Sequence, residues 1–131
     1  MANADDQTIK KLLALRLVLA AVGLLFIFGV YPLAKYWPAG WSWAQGPSPY
    51  FAMIVGIYVT LGIFLLFAAR DPLAHRSVIW FTVWSSLVHS GIMAAQAISQ
   101  PEMRDHLLGD VPALFVVAAV LAWLMPRRNQ E

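Results

Sequence analysis

Four long apolar stretches dominate the sequence, and they constrain the fold more than any other feature. They run from about 12 to 34, 50 to 69, 77 to 99 and 110 to 125. A helix of about 20 apolar residues crosses the roughly 30 Å hydrocarbon core of a bilayer. Of the 131 residues, 60% are apolar and 12% are charged. A chain this small cannot hide so much apolar surface in a soluble core, so we predict an integral membrane protein.

The connecting segments predict how the four spans are arranged. Residues 35–49, 70–76 and 100–109 are short, and each contains proline, so consecutive helices are expected to run antiparallel. Residues 1–131 should form a single all-α domain, a membrane-embedded antiparallel four-helix bundle. Small residues at four-residue spacing predict close helix packing along one face of the second span and one face of the third. These residues are Ala52, Gly56 and Thr60, and Gly91, Ala95 and Ser99.

The basic residues predict the orientation of the bundle. Two of them, Lys35 and Arg104, fall in the first and third connecting segments. The other seven lie near the chain ends or in the middle segment: Lys10, Lys11, Arg16, Arg70, Arg76, Arg127 and Arg128. The positive-inside rule therefore places both termini in the cytoplasm. We expect a multi-pass protein of the cell inner membrane.

Composition also limits the chemistry and the partners. The chain has no cysteine, which excludes disulfides, thiolate metal sites and thiol redox chemistry. A net charge of +2 is too small to indicate nucleic-acid binding. The expected partner is the lipid bilayer, with a homo-oligomer or a larger membrane complex as alternatives.

His89 is the residue that points most clearly to function. It lies near the middle of the third span, where an ionisable side chain is costly and usually faces the bundle interior or a cavity. Its helical face also carries Thr82, Ser85, Ser86, Met93 and Gln96. Two interpretations stay open: these groups join helices by hydrogen bonds, or they form a ligand, proton or quinone site.

Haem binding can be tested against the positions of the histidines. A bis-histidine haem needs two imidazoles at one depth on facing helices. His75 and His106 fall in opposite connecting segments, so a second ligand for His89 would have to come from a homodimer or from a methionine such as Met53 or Met93. No cofactor is therefore predicted, and quinone or haem is the alternative.

A second polar cluster, made of Glu102, Asp105, His106 and Asp110, precedes the fourth span. Carboxylates and an imidazole together can bind a divalent cation. Alternatively, Asp110 caps the fourth helix, with Pro112 in its first turn. Glu102 and Asp105 would then be solvated surface charges.

The second half of the chain resembles a known family. Residues 69–97 contain the pattern WSSxxH, and residues 106–114 read HLLGDVPAL. Together they resemble a bacterial family of small four-span membrane proteins that is catalogued only as a domain of unknown function. The resemblance implies a bacterial inner-membrane protein and brings no activity, cofactor or partner.

The preferred functional prediction is a non-enzymatic membrane module, either an accessory subunit or a bundle that binds a small ligand or lipid. It follows from the lack of a recognisable catalytic set. The alternative is a redox protein associated with quinone or haem through His89. A small transporter is the third hypothesis, but proton-coupled small exporters use a carboxylate deep in a span, and the sequence predicts none there.

Overall fold

The computed structural model describes residues 2–42 and 48–127, and within these ranges it contains helices and no strand. The elements are α1 (Ala2–Leu24), a π-helical turn (Leu25–Gly29), α2 (Val30–Tyr36), α3 (Pro38–Trp41), α4 (Pro49–Arg70), α5 (Arg76–Ser99), a 3₁₀ helix (Pro101–Leu108) and α6 (Asp110–Leu124). Four helical stretches in the described ranges are long and apolar enough to cross a membrane. The predicted all-α fold with four spans is confirmed.

The first span is longer than a bilayer requires. Helical structure continues from Asn3 to Tyr36 through the π-helical turn, a length of about 50 Å at 1.5 Å per residue. Residues 3–10 are exposed, and Lys10 Nζ lies 2.6 Å from Asp6 Oδ2. The first helix therefore begins well before Leu12, and its polar first turns extend beyond the apolar part of the span.

The bundle consists of two helical hairpins. The first span packs most extensively against α4, and α5 packs most extensively against α6, with looser contacts between the two pairs. Leu15 and Leu19 of α1, Leu65 of α4, Ile79 of α5 and Leu121 of α6 are all fully buried. The core therefore lies between the hairpins, and each helix contributes one apolar face to it.

The close contact between α1 and α4 is made by Gly23 and Gly62. An added Cβ at Gly62 would lie 2.6 Å from the Gly23 carbonyl oxygen, and one at Gly23 would lie 2.8 Å from the Gly62 carbonyl oxygen. Real Cβ atoms do not approach carbonyl oxygens so closely. Glycine at both positions thus lets the two backbones touch, as small residues do in membrane helix pairs.

The two small-residue faces predicted from the sequence do not form close helix–helix contacts. An added Cβ at Gly56 or Gly91 would meet nothing within 4 Å. Their companions Ala52, Thr60, Ala95 and Ser99 are exposed as well. The packing prediction is therefore wrong for both faces, because the spacing alone does not show which side of a helix faces its neighbour.

Two short helices cover the end of the bundle opposite the chain termini, which we call the distal end. Proline starts each of them, Pro38 in α3 and Pro101 in the 3₁₀ helix. They meet where Gly109 approaches the backbone of Gly40 so closely that no Cβ would fit. A short helix thus precedes the fourth span.

The other end of the bundle is tied together by its connections. In the turn between α4 and α5, the Ala74 amide donates to Asp71 Oδ1 at 3.2 Å, and His75 Nδ1 lies 2.9 Å from the Asp71 carbonyl oxygen. Arg76 Nη2 donates to the Pro126 carbonyl oxygen at 3.0 Å. These bonds link the middle turn to the carboxyl end of the fourth span.

Candidate functional site: a cavity inside the distal half of the bundle

A cavity of about 270 Å³ lies between the four spans, on the distal side of the bundle midpoint. All four spans and α3 contribute to its wall. The lining residues are Leu25, Phe26, Val30, Trp41, Ser48, Tyr50, Phe51, Ile54, Tyr58, His89, Met93, Asp110, Ala113, Leu114 and Val117. Most of these are apolar, and the polar groups are few, an arrangement typical of small-molecule sites.

The deepest polar group of the wall is a pair formed by Tyr58 of α4 and His89 of α5. The Tyr58 hydroxyl oxygen lies 3.2 Å from His89 Nδ1. Phe26 of the π-helical turn packs its ring edge-on against the Tyr58 ring, with 4.9 Å between centroids and an angle of 81°. Such turns recur at functional sites. Here the turn brings Leu25 and Phe26, two consecutive residues, to the same wall.

The partner of His89 comes from the facing helix and not from Ser85 or Ser86 of its own helical face. Thr60, two residues from Tyr58 on α4, donates to the Gly56 carbonyl oxygen of its own helix at 2.9 Å and is exposed. A tyrosine hydroxyl deep in an otherwise apolar span was the signal that could have identified Tyr58, since an antiparallel neighbour places residue 58 at the depth of residue 89.

Most of the other polar side chains on the His89 face form hydrogen bonds within α5. Thr82 Oγ1 donates to the Val78 carbonyl oxygen at 2.9 Å, and Ser85 Oγ donates to that of Thr82 at 3.3 Å. Hydroxyls commonly bond to the backbone of their own helix in this way. Ser86 is buried, whereas Gln96 is exposed. Of the residues on this face, His89 and Met93 line the cavity. A binding role for Thr82, Ser85, Ser86 and Gln96 stays a prediction.

A second polar pair lies at the distal end of the cavity. His106 Nδ1 is 2.9 Å from Asp110 Oδ1, and the two residues are only 1% and 7% exposed. Asp110 also lines the cavity wall. His106 belongs to the 3₁₀ helix and Asp110 to the first turn of α6. This pair therefore joins the 3₁₀ helix at the distal end to the fourth span.

This geometry separates the four residues suggested as metal ligands. His106 and Asp110 are buried together, whereas Glu102 and Asp105 are exposed, as expected of solvated charges. Within residues 2–42 and 48–127 no three histidine, aspartate or glutamate side chains are grouped as a metal site would require. The expected helix cap is wrong: α6 has no side-chain cap, and Gly109 precedes its first residue. Asp110 contacts His106 instead.

Trp41 of α3 also lines the cavity. Its side chain is half-buried, but the indole Nε1 is buried and has no hydrogen-bond partner among the residues that the structure describes. Indole N–H is a donor only, and a buried donor without an acceptor is costly. Exposed Tyr36 and Tyr50 also lie near the distal end, as expected of aromatic side chains at a membrane interface.

Comparison with known proteins adds the family. The chain has no significant match among curated proteins or among solved structures. A family model matches residues 7–129, nearly the entire chain, whereas the resemblance seen in the sequence rested on its second half. The chain belongs to DUF6632, a family of unknown function.

Proposed function

We propose that the bundle is a non-enzymatic binding protein for a small lipid-soluble molecule, which it holds in the cavity between its four spans. The observation that supports this most is the cavity itself, an apolar space of about 270 Å³ lined by a few polar groups. Packing alone would not leave such a space, because protein interiors are filled nearly as densely as organic crystals.

The size of the cavity limits the ligand. An apolar cavity of about 150 Å³ is enough to hold benzene. The larger space here suits a ring system of two fused rings or the head and first segment of a longer amphiphile. A complete phospholipid with two acyl chains would have to leave most of its volume outside.

The wall also indicates where a ligand enters. Tyr50, Ile54 and Leu25 line the cavity and are 75%, 43% and 37% exposed at the surface of the bundle. In a membrane, Leu25 and Ile54 would face hydrocarbon, and Tyr50 would lie at the interface. The distal end is covered by α3 and the 3₁₀ helix, which touch at Gly40 and Gly109. Entry from the lipid side is therefore favoured over entry from water.

A redox role is the second candidate, and the Tyr58–His89 pair favours quinone over haem within it. His89 and Met93 lie one turn apart on α5, so they cannot occupy opposite faces of one haem. Met53 is 61% exposed. The described residues thus place no second axial ligand opposite His89, whereas a quinone needs only hydrogen-bond partners.

The setting is proposed to be the inner membrane of a bacterium, with both termini in the cytoplasm. An even number of spans puts the two termini on one side. The seven-to-two distribution of basic residues supports the cytoplasmic side through the positive-inside rule. The exposed small-residue faces of α4 and α5 leave room for a second copy or another membrane subunit, which would make the protein an accessory component.

Co-purification tests the proposal directly. The protein is purified from membranes, extracted with organic solvent and analysed by mass spectrometry beside the variant Ala113→Phe. Ala113 lines the cavity, so phenylalanine should fill part of it and expel the ligand. Ala119→Phe is the matched control, because Ala119 lies on the exposed face of the same helix. Equal amounts of every extracted molecule in all three proteins would contradict the proposal.

A further inference from the structure

The cavity wall carries one acidic side chain, and no lysine or arginine of the described residues lines it. The acidic residue is Asp110, whose side chain keeps 10% of its surface accessible. Asp110 is the first residue of α6, where the helix dipole favours a negative charge. The protein interior screens that charge less than water does. A carboxylate in this position therefore attracts a cation and repels an anion.

His106 holds the Asp110 carboxylate in place without belonging to the cavity wall. Its Nδ1 lies 2.9 Å from Asp110 Oδ1, and the imidazole is not among the residues that line the cavity. A neutral imidazole with its proton on Nδ1 donates to the carboxylate and leaves the negative charge in place. The contact thus fixes Asp110 as a negative group at the cavity.

Aromatic rings form a large part of the same wall. Five of the fifteen lining residues are aromatic: Phe26, Trp41, Tyr50, Phe51 and Tyr58. Asp110 is close enough to Tyr58 for a direct electrostatic interaction. The faces of aromatic rings attract cations within about 6 Å, and groups of such rings recognise quaternary ammonium ligands. In a space of about 270 Å³, a ligand lies near both the carboxylate and several rings.

From these features we propose that the cavity binds a lipophilic organic cation, an ammonium compound with an apolar body. Its positive charge lies beside Asp110, and its body lies among the aromatic rings. The inference rests on the proposed ligand-binding function and specifies the charge of the ligand. A neutral ligand such as a quinone would gain no ionic attraction from the carboxylate, and a fatty-acid or phosphate anion would be repelled by it.

A matched pair of probes tests the charge. Benzyltrimethylammonium and neopentylbenzene have the same shape and differ in one atom, a charged nitrogen in place of a carbon. Their binding to the full chain is measured by equilibrium dialysis in an uncharged maltoside detergent, with protein-free micelles subtracted. The dialysis is run at about pH 8, where model imidazole and tyrosine side chains are neutral. We expect wild-type protein to bind the cation at least as tightly as the hydrocarbon, although a cation is more costly to remove from water.

One variant tests the role of the carboxylate. Asp110→Asn removes the charge and keeps an amide oxygen that can accept a hydrogen bond from His106. It should weaken cation binding about tenfold and change hydrocarbon binding by less than about twofold. Asp105→Asn is the matched control, because it removes one negative charge at an exposed position outside the cavity wall. The control should keep the wild-type affinity for both probes.

A second variant tests the aromatic wall. Phe51→Leu removes one ring of the wall and keeps an apolar side chain, so it should lower the cation-to-hydrocarbon affinity ratio about threefold. Phe64→Leu is the control on the same helix, since Phe64 is 50% exposed and does not line the cavity. Thermal midpoints of all variants show whether the fold is retained.

The outcomes separate this inference from the proposed function. Binding of the hydrocarbon without measurable binding of the cation by wild type overturns the cation inference and leaves ligand binding in place. Binding of neither probe contradicts both. An unchanged cation affinity in folded Asp110→Asn also overturns the inference. Should Asp110→Asn fail to fold, the wild-type comparison and Phe51→Leu still decide.

Discussion

The Tyr58 hydroxyl oxygen lies 3.2 Å from His89 Nδ1, and this pair is the polar contact that joins the second and third spans at the depth of the cavity. A bilayer offers no hydrogen-bond partner to an imidazole at mid-membrane. The bond therefore satisfies a group that would otherwise be costly, at a residue that lines the cavity between the hairpins.

A double-mutant cycle measures the strength of this contact. Tyr58→Phe and His89→Leu should each destabilise the bundle, and the double variant should lose less than the sum of the two. We expect a coupling energy of about 0.6 kcal/mol, the average for hydrogen bonds between membrane helices, and no more than about 1.7 kcal/mol. Unfolding in detergent measures it. Strict additivity of the two changes would show that the contact contributes nothing.

The same substitution should destabilise the bundle at one glycine of α4 and have little effect at another. Gly62→Ala puts a Cβ against the Gly23 carbonyl oxygen and should destabilise the bundle by about 1 to 3 kcal/mol through overpacking. Gly56→Ala is the matched control. It points into open space and should change stability by less than about 0.5 kcal/mol. A Gly56→Ala variant less stable than Gly62→Ala would refute the observed helix crossing.

The contrast between these glycines shows which features of the fold can be predicted from the sequence. Span number and antiparallel order follow from apolar length and short connections, because those properties depend only on where apolar residues lie along the chain. The packing face does not follow, because Gly23 and Gly62 belong to different helices and neither lies in a conspicuous small-residue series. Lipid also accepts exposed glycine and alanine, so a regular spacing such as that around Gly56 carries no penalty when it faces outward.

The buried pair at the distal end should be important for stability. His106→Leu or Asp110→Ala leaves one buried polar partner of a 2.9 Å contact without the other, at a cost of about 1 to 3 kcal/mol. Asp105→Ala, an exposed neighbour, should cost less than about 0.5 kcal/mol. Thermal unfolding in detergent compares the three. Equal thermal midpoints for all three variants would show that the pair does not hold the 3₁₀ helix to α6.

The same variants test whether His106 and Asp110 bind a divalent cation. If the pair is purely structural, the thermal midpoint of the wild-type protein should not change when zinc or a chelator is added. A midpoint raised by zinc in wild type and not in Asp110→Ala would favour a divalent cation bound at His106 and Asp110.

Topology provides a separate prediction. If both termini face the cytoplasm, as proposed from the positive-inside rule, alkaline phosphatase fused after residue 131 or before residue 1 should be inactive in a bacterial host. A fusion placed in the segment around Trp41 should be active, since that segment lies at the opposite end of the bundle. Active terminal fusions would reverse the proposed orientation.

The candidate site was predictable only in part. His89 was identified because an ionisable side chain at mid-span is conspicuous against apolar neighbours. Tyr58 and Trp41 were not, because tyrosine and tryptophan are common in membrane helices and at interfaces, where they need no special explanation. His106 and Asp110 were grouped in one polar cluster from the sequence, with a metal site or a helix cap as alternatives, and the 3₁₀ helix brings the two side chains into direct contact.

Native mass spectrometry tests the central claim most directly, because it counts the molecules that stay bound to each chain. Protein released from membranes without detergent washing should carry one small apolar adduct per chain in wild type and in Ala119→Phe, and should lose it in Ala113→Phe. An adduct of the same mass and occupancy in Ala113→Phe, or no adduct on folded wild-type protein, would contradict ligand binding in the cavity.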